Sequence, residues 1–284
     1  MRHRFDGKIF HAQKGFSIIE FMIAMTIGLV VLMVAVQIVV SSRRAFDTVH
    51  GQLLAQQAGR SSLYFISQST RLTGYVDAGE LTPSEGDFYA SELVNRLAID
   101  DKWHGNSMFQ AKAVIAGGDS ADESLYQAKP NNDSFSVRLQ GSNTINLLDC
   151  SGVVIGAADV SVMTFYVDTD NQLRCAVTDS NGARNVALVE GVYAMQLLYA
   201  VTHSNQQQHT YGYLNASQMG LDDWQNVKGV KVGLLAGSDN NLSNASPESL
   251  PLLDVMIDST DLDDGHIYQS YIQTIALRNH VSNQ

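Results

Sequence analysis

Residues 14–40 have the sequence KGFSIIEFMIAMTIGLVVLMVAVQIVV, and this stretch decides the fold. Between positions 16 and 40 the only charged residue is Glu20. A helix of that length spans roughly 37 Å, which is enough to cross a hydrocarbon core of ~30 Å. The first fifteen residues contain four Lys or Arg and one Asp. The positive-inside rule therefore predicts a cytoplasmic amino terminus, a membrane-spanning helix over 16–41 and export of the rest of the chain.

Glu20 is unusual because it lies only five residues into the apolar stretch. A carboxylate inside a bilayer costs several kcal/mol unless it has a partner, so it marks a functional residue by default. The position of Gly15 is also informative. A secretory signal peptide is cleaved at small residues that follow its apolar core, whereas here the small residue precedes the core. A plain signal anchor with a stray acid remains the simpler alternative.

The segment Lys14-Gly15-Phe16-Ser17-Ile18-Ile19-Glu20 resembles the class III leader of type IV prepilins and pseudopilins. That resemblance implies that residues 1–15 are a leader peptide, which prepilin peptidase removes between Gly15 and Phe16. It also implies N-methylation of Phe16, the new amino terminus. In a filament, the carboxylate of Glu20 would pair with the amine of a neighbouring subunit, so that two buried charges become tolerable together.

The helix is expected to continue beyond the membrane as an amphipathic half over residues 42–74. Residues 41–73 contain no proline and only two glycines. Apolar residues recur at spacings of three, four and seven, which is typical of an amphipathic helix. They are Phe46, Val49, Leu53, Ala58, Phe65 and Leu72. Gly74, followed by Gly79 and Pro83, predicts the end of the helix.

Several short motifs resemble the PilW family of type IV pilus minor pilins. The helix carries Gln57-Ala58-Gly59-Arg60 and Arg71-Leu72-Thr73-Gly74-Tyr75, which match a Q-x-x-R … R-x-x-G-Y pattern. The further matches are Asp149-Cys150-Ser151-Gly152, Leu173-Arg174-Cys175, Val189-Glu190-Gly191-Val192 running on to Leu198-Tyr199, and Ile275-Ala276-Leu277-Arg278-Asn279. One departure concerns the apolar helix of major pilins, which usually contains a proline near the position of Gln37. Residues 16–40 contain none, and Gly28 is the only obvious weak point there.

The remainder of the chain, residues 75–284, is expected to form a β-rich globular domain. Six runs of β-branched and aromatic residues between turn-rich stretches predict strands. They are Phe135–Leu139, Val160–Val167, Gln172–Val177, Val192–Val201, Lys228–Leu235 and Tyr268–Leu277. A short helix is expected near Ser91–Ile99, with polar loops over His203–His209 and Gly237–Pro251. The expected fold class is therefore α+β and pilin-like, with one long amino-terminal helix followed by a β-rich domain.

The composition restricts the function classes that remain. The net charge of −11 disfavours nucleic-acid binding, because an acidic surface repels phosphates. The only two cysteines, Cys150 and Cys175, are too few for a structural zinc site. In an exported domain they predict one mutual disulfide, with two free buried thiols as the alternative.

Two acidic loops are candidates for calcium, which prefers clustered carboxylate oxygens. One contains Asp258, Asp261, Asp263 and Asp264, and the other contains Asp168 and Asp170. Neither has EF-hand spacing, so a solvated loop is the simpler interpretation. The sequence contains no H-E-x-x-H, G-x-S-x-G, Walker or G-x-G-x-x-G motif. We therefore expect neither an enzyme nor a cofactor-binding protein.

By its resemblance to the PilW family, the chain is expected to be a minor pilin. It would be held in the inner membrane, with its β-rich domain in the periplasm, and then incorporated into a type IV pilus. Its expected partners are prepilin peptidase, other minor pilins, the major pilin and the inner-membrane assembly platform. Two alternatives remain. One is a J-type minor pseudopilin of type II secretion, and the other is a signal-anchored periplasmic enzyme or binding protein.

Overall fold

The computed structural model describes Gly15 and residues 17–77, Phe109, 113–119, 127–157, 159–203, 210–238 and 247–279. The chain forms two compact units, residues 1–48 and residues 49–284. The helix predicted near Ser91–Ile99 lies outside the described residues. Residues 204–209 and 239–246, the larger parts of the two predicted polar loops, also lie outside them.

The described part of the first unit consists of Gly15, Ser17 and a helix. Helix α1 begins at Ile18, and the Phe21 amide donates a hydrogen bond to the Ser17 carbonyl oxygen at 3.1 Å. Every described residue from 15 to 47 is exposed. By length and apolar composition this helix is sufficient to cross a membrane. The membrane span itself stays a prediction.

Helix α1 comprises Ile18–Leu72 and ends close to the predicted position. The helix includes residues of both units, and no proline interrupts it. Just beyond it, Gly74 adopts a φ of +76°, a left-handed conformation that glycine accepts without strain. The Gly74 amide donates to the Arg138 carbonyl oxygen at 2.9 Å. A Cβ at position 74 would also lie 2.5 Å from the Asn279 carbonyl oxygen, so only glycine fits there.

Eleven strands lie in the described residues of the second unit. They are β1 Ile115–Gly118, β2 Ser134–Gln140, β3 Val160–Val167, β4 Gln172–Asp179, β5 Gly182–Glu190, β6 Val192–His203, β7 Thr210–Leu214, β8 Val227–Gly237, β9 Leu250–Leu252, β10 Val255–Ile257 and β11 Tyr268–Ala276. All six predicted strands are confirmed, as β2, β3, β4, β6, β8 and β11. The other five were not predicted. One long helix followed by these strands confirms the α+β fold class.

The strands form two main antiparallel sheets. One has the order β1-β2-β3-β4-β5 and the other β11-β8-β6-β7, while β9 and β10 form a separate hairpin. One apolar core contains side chains from both sheets. It includes Phe135 and Phe165, whose rings stack with centroids 5.3 Å apart, and Tyr199. Ile66 is fully buried in the same core and anchors α1 to it.

The face of α1 that packs on the sheets is only partly the predicted one, since Ala58 and Leu72 contact the core but the other predicted residues do not. Phe46, Val49 and Leu53 are more than half exposed, and of the predicted set only Ala58 is fully buried. The buried helix positions are mostly small: Gly51, Ala55, Ala58, Gly59, Ser62, Ile66, Ser67, Ser69 and Thr70. The reason is steric, since a Cβ at Gly59 would lie 2.2 Å from the ring of Tyr271 in β11. The sheet is too close to α1 for a row of large side chains.

A polar bridge joins the two sheets. Asn132 and Asp133 directly precede β2, and their side-chain oxygens accept hydrogen bonds from the Met195 and Leu197 amides of β6, both at 2.7 Å. In the other direction, the Asp133 amide donates a hydrogen bond to the Met195 carbonyl oxygen at 3.0 Å. Burial raises the pKa of the Asp133 carboxyl to about 7, and nearby carboxylates add to this effect, while the Leu197 amide opposes it. The bridge therefore contains a carboxyl group that resists ionisation.

Candidate functional site

The residues predicted to undergo processing, Gly15 and Phe16, precede α1 in the sequence. Gly15 is exposed, and a Cβ built on it would meet no atom within 4 Å. Phe16 lies outside the described residues. Glu20 lies in the first turn of α1, is exposed, and makes no hydrogen bond or ion pair with the described residues. The Gly15–Phe16 bond thus precedes α1, whereas Glu20 is part of it.

Glu20 lies in the first turn of α1, and Ser17 precedes the first helical residue. Ser17-Ile18-Ile19-Glu20 has the S-x-x-E spacing of a capping box, but neither side chain forms a capping hydrogen bond with the described residues. An acid in the first turn also interacts favourably with the helix dipole, by about 0.3–1 kcal/mol. That gain is smaller than the several kcal/mol that an unpaired charge costs inside a bilayer. The helix dipole alone therefore does not account for an acid in this apolar stretch.

The predicted disulfide between Cys150 and Cys175 is confirmed. Cys150 lies in a short turn-containing segment, residues 147–155, in which Leu148 pairs with Val154. We call this segment the Cys150 hairpin. Because Cys175 lies in the middle of β4, the disulfide attaches the hairpin to the five-stranded sheet.

Besides the disulfide, an ion pair also attaches the Cys150 hairpin to the five-stranded sheet. The Nη2 of Arg184, in β5, donates to carboxylate oxygens of Asp149 and Asp179, both at 2.6 Å. The fully buried Asp149 side chain also accepts from the amides of Ser151 and Val153, at 2.7 and 3.0 Å. The Arg184 guanidinium lowers the pKa of the Asp179 carboxyl. Sequence reasoning missed this contact because no local pattern links the hairpin to the turn after β4.

The calcium candidates do not form a shared site. Asp258 caps the 3-10 helix Ser259–Asp261, and its carboxylate accepts from the Thr260 amide at 2.9 Å. In the other loop, Asp168 accepts from the Asp170 amide at 3.0 Å. Among the described residues, no three Asp, Glu, His or Cys side chains are grouped closely enough to hold a metal ion. Calcium at Asp258, Asp261 and Asp263 therefore gains no support.

Two grooves flank the second half of α1, and Phe65 lines both. The first has a volume of about 750 Å³ and is lined by the acidic residues Asp170, Glu190 and Asp263. We call it the acidic groove. The second, of about 720 Å³, lies between α1 and the Cys150 hairpin. We call it the hairpin groove, and it contains the cations Arg71 and Arg278. The two flanks of the helix thus carry opposite charge.

The motifs that resemble the PilW family meet at these grooves. The acidic groove is lined by Gln57-Ala58 and Val189-Glu190-Gly191. The hairpin groove is lined by Arg71-Leu72, Asp149-Cys150 and Arg278-Asn279. The Asn279 side-chain amide donates to the Thr73 carbonyl oxygen at 3.4 Å, which connects the end of α1 to the segment after β11. Segments that are distant in the sequence therefore form continuous surfaces.

Comparison with known proteins gives two family matches. Residues 164–279 match the family described as Type IV Pilus-assembly protein W. Residues 10–36 match the Prokaryotic N-terminal methylation motif. No curated protein sequence matches the chain. Among solved structures, a type IV-like pilin from Thermus thermophilus aligns with 12% identity and a TM-score of 0.38, over 78% of this chain and 95% of that one.

The methylation-motif match contains the leader motif, and the protein W match contains the motifs that begin at Leu173, Val189 and Ile275. The two motifs of α1 and the motif that begins at Asp149 lie outside both matches. The methylation motif includes Gly15, Phe16 and Glu20, and the protein W match begins within β3 and extends beyond β11. Pilins are structural subunits that assemble with other pilus components. Together, the two matches support a type IV pilus minor pilin of the PilW family.

Proposed function

We propose that this minor pilin is made as a precursor, which prepilin peptidase cleaves between Gly15 and Phe16 before Phe16 is N-methylated. The match of residues 10–36 to the methylation motif carries the proposal, because it contains both residues. An exposed Gly15 outside α1 is compatible with access by a peptidase. The four cations of the leader favour an inner-membrane orientation with the amino terminus in the cytoplasm and the β-rich domain in the periplasm.

Glu20 then provides the link between processing and assembly. In a filament, its carboxylate pairs with the amine of Phe16 on a neighbouring subunit. Every described residue from 15 to 47 is exposed, so this helix has its whole circumference available for packing against other helices. An unpaired carboxylate is costly in such apolar surroundings, whereas a carboxylate paired with an amine is tolerated. Because cleavage creates that amine, an uncleaved precursor lacks the partner.

The subunit joins other minor pilins and the major pilin at the inner-membrane assembly platform, where it helps to initiate the pilus. The protein W family match supports this role. The outward-facing residues of α1 also support it, since Val49 and Leu53 are exposed and are not used in the core. These side chains remain available for contacts between subunits.

The substitution Glu20→Val tests the role of the acid, with Thr26→Val as a matched control in the same helix. The Thr26 hydroxyl donates only to the Ile23 carbonyl oxygen within the helix, so its loss removes no charge. We expect both variants to insert and to be processed. Loss of one partner of a buried pair costs about 3–5 kcal/mol, so Glu20→Val should lower the amount of subunit in purified pili by more than tenfold.

Normal incorporation of Glu20→Val would refute the pairing. The phenotype of a deletion strain distinguishes a pilus subunit from a subunit of the type II secretion system. Deletion of this chain should reduce pilus-dependent twitching. A loss of type II secretion with normal twitching would instead assign the chain to the J-type pseudopilins.

A further inference from the structure

The hairpin groove has apolar walls on both sides. On α1 they include Tyr64 and Leu72, and on the Cys150 hairpin they include Leu148. Tyr64 is 59% exposed and Leu148 is 52% exposed. Val154, the pairing partner of Leu148, is 50% exposed beside it. Neighbouring exposed apolar side chains on a domain of this acidity indicate a surface that binds a partner.

The groove is held open before any partner binds. The disulfide fixes one wall covalently, and the contacts of Arg184 with Asp149 and Asp179 fix the same wall ionically. The other wall is an α-helix anchored in the core by Ile66. Binding at a preformed surface avoids much of the entropy cost of ordering its walls.

The charge of the groove indicates the charge of its occupant. Arg71 and Arg278 are both exposed, and neither forms a salt bridge with a described residue. Among the described residues that line the groove, Asp149 is the only one with a carboxylate, and it is buried against Arg184. The site is therefore basic on a chain whose net charge is −11. Two cations are fewer than the cluster of about 4–8 that binds anionic lipids, so the charges favour a protein over a membrane surface.

We propose that the hairpin groove binds an acidic, amphipathic helix of another kind of pilin subunit. Apolar side chains of that helix insert between Tyr64 and Leu148, and its carboxylates face Arg71 and Arg278. Insertion of an amphipathic helix into an apolar groove is a recurring mode of protein recognition. This inference rests on the proposed function, which requires contact with other pilins.

Photo-crosslinking in the native host tests the proposal with the full-length chain. p-Benzoyl-phenylalanine replaces Leu148 in one strain and Ile272 in a control strain. Ile272 is 56% exposed but lies in β11 and does not line the groove. After irradiation, mass spectrometry identifies the crosslinked peptide. We expect position 148, and not position 272, to crosslink to a helical segment of another pilin subunit.

A charge-reversal variant adds a second readout. Arg71→Glu combined with Arg278→Glu should lower the yield of the position-148 adduct by about tenfold, because attraction becomes repulsion. Arg60→Glu is the matched control, since Arg60 is an exposed cation of the same helix outside the groove. It should leave the yield unchanged. Formation of the disulfide in each variant, seen without reductant, shows that the domain has folded.

Four outcomes would overturn the proposal: no adduct, an adduct with lipid, an adduct with a second copy of this chain, or an adduct within the chain itself. A yield unaffected by the double charge reversal would also overturn it.

The same cells are assayed for methylated Phe16 in purified pili. If that form is present but position 148 gives no pilin adduct, the groove inference is wrong and the proposed function stands. If the chain is unprocessed and absent from pili, the proposed function fails, whereas a position-148 adduct with another pilin would still support the groove.

Discussion

The two halves of α1 use side-chain size in different ways. Residues 18–40 are almost continuously large and apolar, and all of them are exposed. Residues 49–72 bury mainly small residues, such as Gly59 and Ser62, and leave the larger Leu53 and Tyr64 outside. Neither half therefore uses most of its large side chains for folding. The comparison teaches that much of the apolar surface of this helix is not used in the core, so it is available for the bilayer and the partner subunits that we propose.

The largest expected effect comes from adding the same side chain to each half. Gly59→Leu would force a Cβ to within 2.2 Å of the Tyr271 ring, so the free energy of unfolding should fall by about 3 kcal/mol or more. Gly28→Leu is the matched control, because a Cβ at Gly28 meets no atom within 4 Å. Its effect on unfolding should be within ~0.5 kcal/mol. Chemical denaturation of the detergent-solubilised protein measures both, and equal losses would contradict the comparison.

The disulfide should stabilise the domain without affecting the apolar half of the helix. Replacing Cys150 and Cys175 together by Ser releases a closed loop with a sequence separation of 25 residues. The chain-entropy account expects a loss of about 3 kcal/mol in the free energy of unfolding. Membrane insertion should not change, since the first unit contains neither cysteine. Denaturation curves and membrane fractionation measure the two effects. A defect in insertion would show that the two regions are not independent.

The smallest expected effect is a pH dependence confined to the second unit. The pKa of Asp133 is about 7 in the folded domain, against 3.8 for an ordinary Asp. As the pH rises from about 4 to 7, the unfolded chain releases this proton before the folded one does. The free energy of unfolding should therefore fall by roughly 2–3 kcal/mol across this window.

The variant Asp133→Asn cannot ionise, yet it keeps an oxygen that can accept the Leu197 bond. Its unfolding free energy should lack this decline between pH 4 and 7. Asp258→Asn is the control, because Asp258 is exposed and its pKa is lowered by the Thr260 amide, so its titration lies below the window. Denaturation at several pH values measures all three proteins. A decline that persists in Asp133→Asn would assign the titration to another group.

The strands that could be predicted from the sequence are those with continuous β-branched and aromatic runs, such as Val160–Val167. The edge strand β5 begins Gly-Ala-Arg-Asn, which has low strand propensity, so it was missed. One signal was available: Asn181-Gly182 is typical of a tight hairpin turn, and Gly182 has a φ of +100°. In β1, Gly117 weakens the strand pattern but is required, because a Cβ there would lie 1.8 Å from the Tyr199 hydroxyl.

The predicted site residues are close together in the sequence, whereas the missed ones are far apart in the sequence and meet only in the fold. Gly15, Phe16 and Glu20 form one local motif, so the sequence was sufficient to propose them. The hairpin groove is formed by α1, the Cys150 hairpin and Arg278, which are brought together only by folding. Most of the inner face of α1 was missed for another reason. Small residues that permit close packing do not produce the apolar periodicity from which helix faces are predicted.

The central claim is that α1 is the processed, assembled helix of a minor pilin, and its amino terminus tests that claim most directly. Purified pili are digested, and mass spectrometry identifies the first peptide of this chain. We predict that it begins at an N-methylated Phe16 followed by Ser17 and that no peptide from residues 1–15 remains attached. An intact leader beginning at Met1 on the assembled subunit would contradict the account.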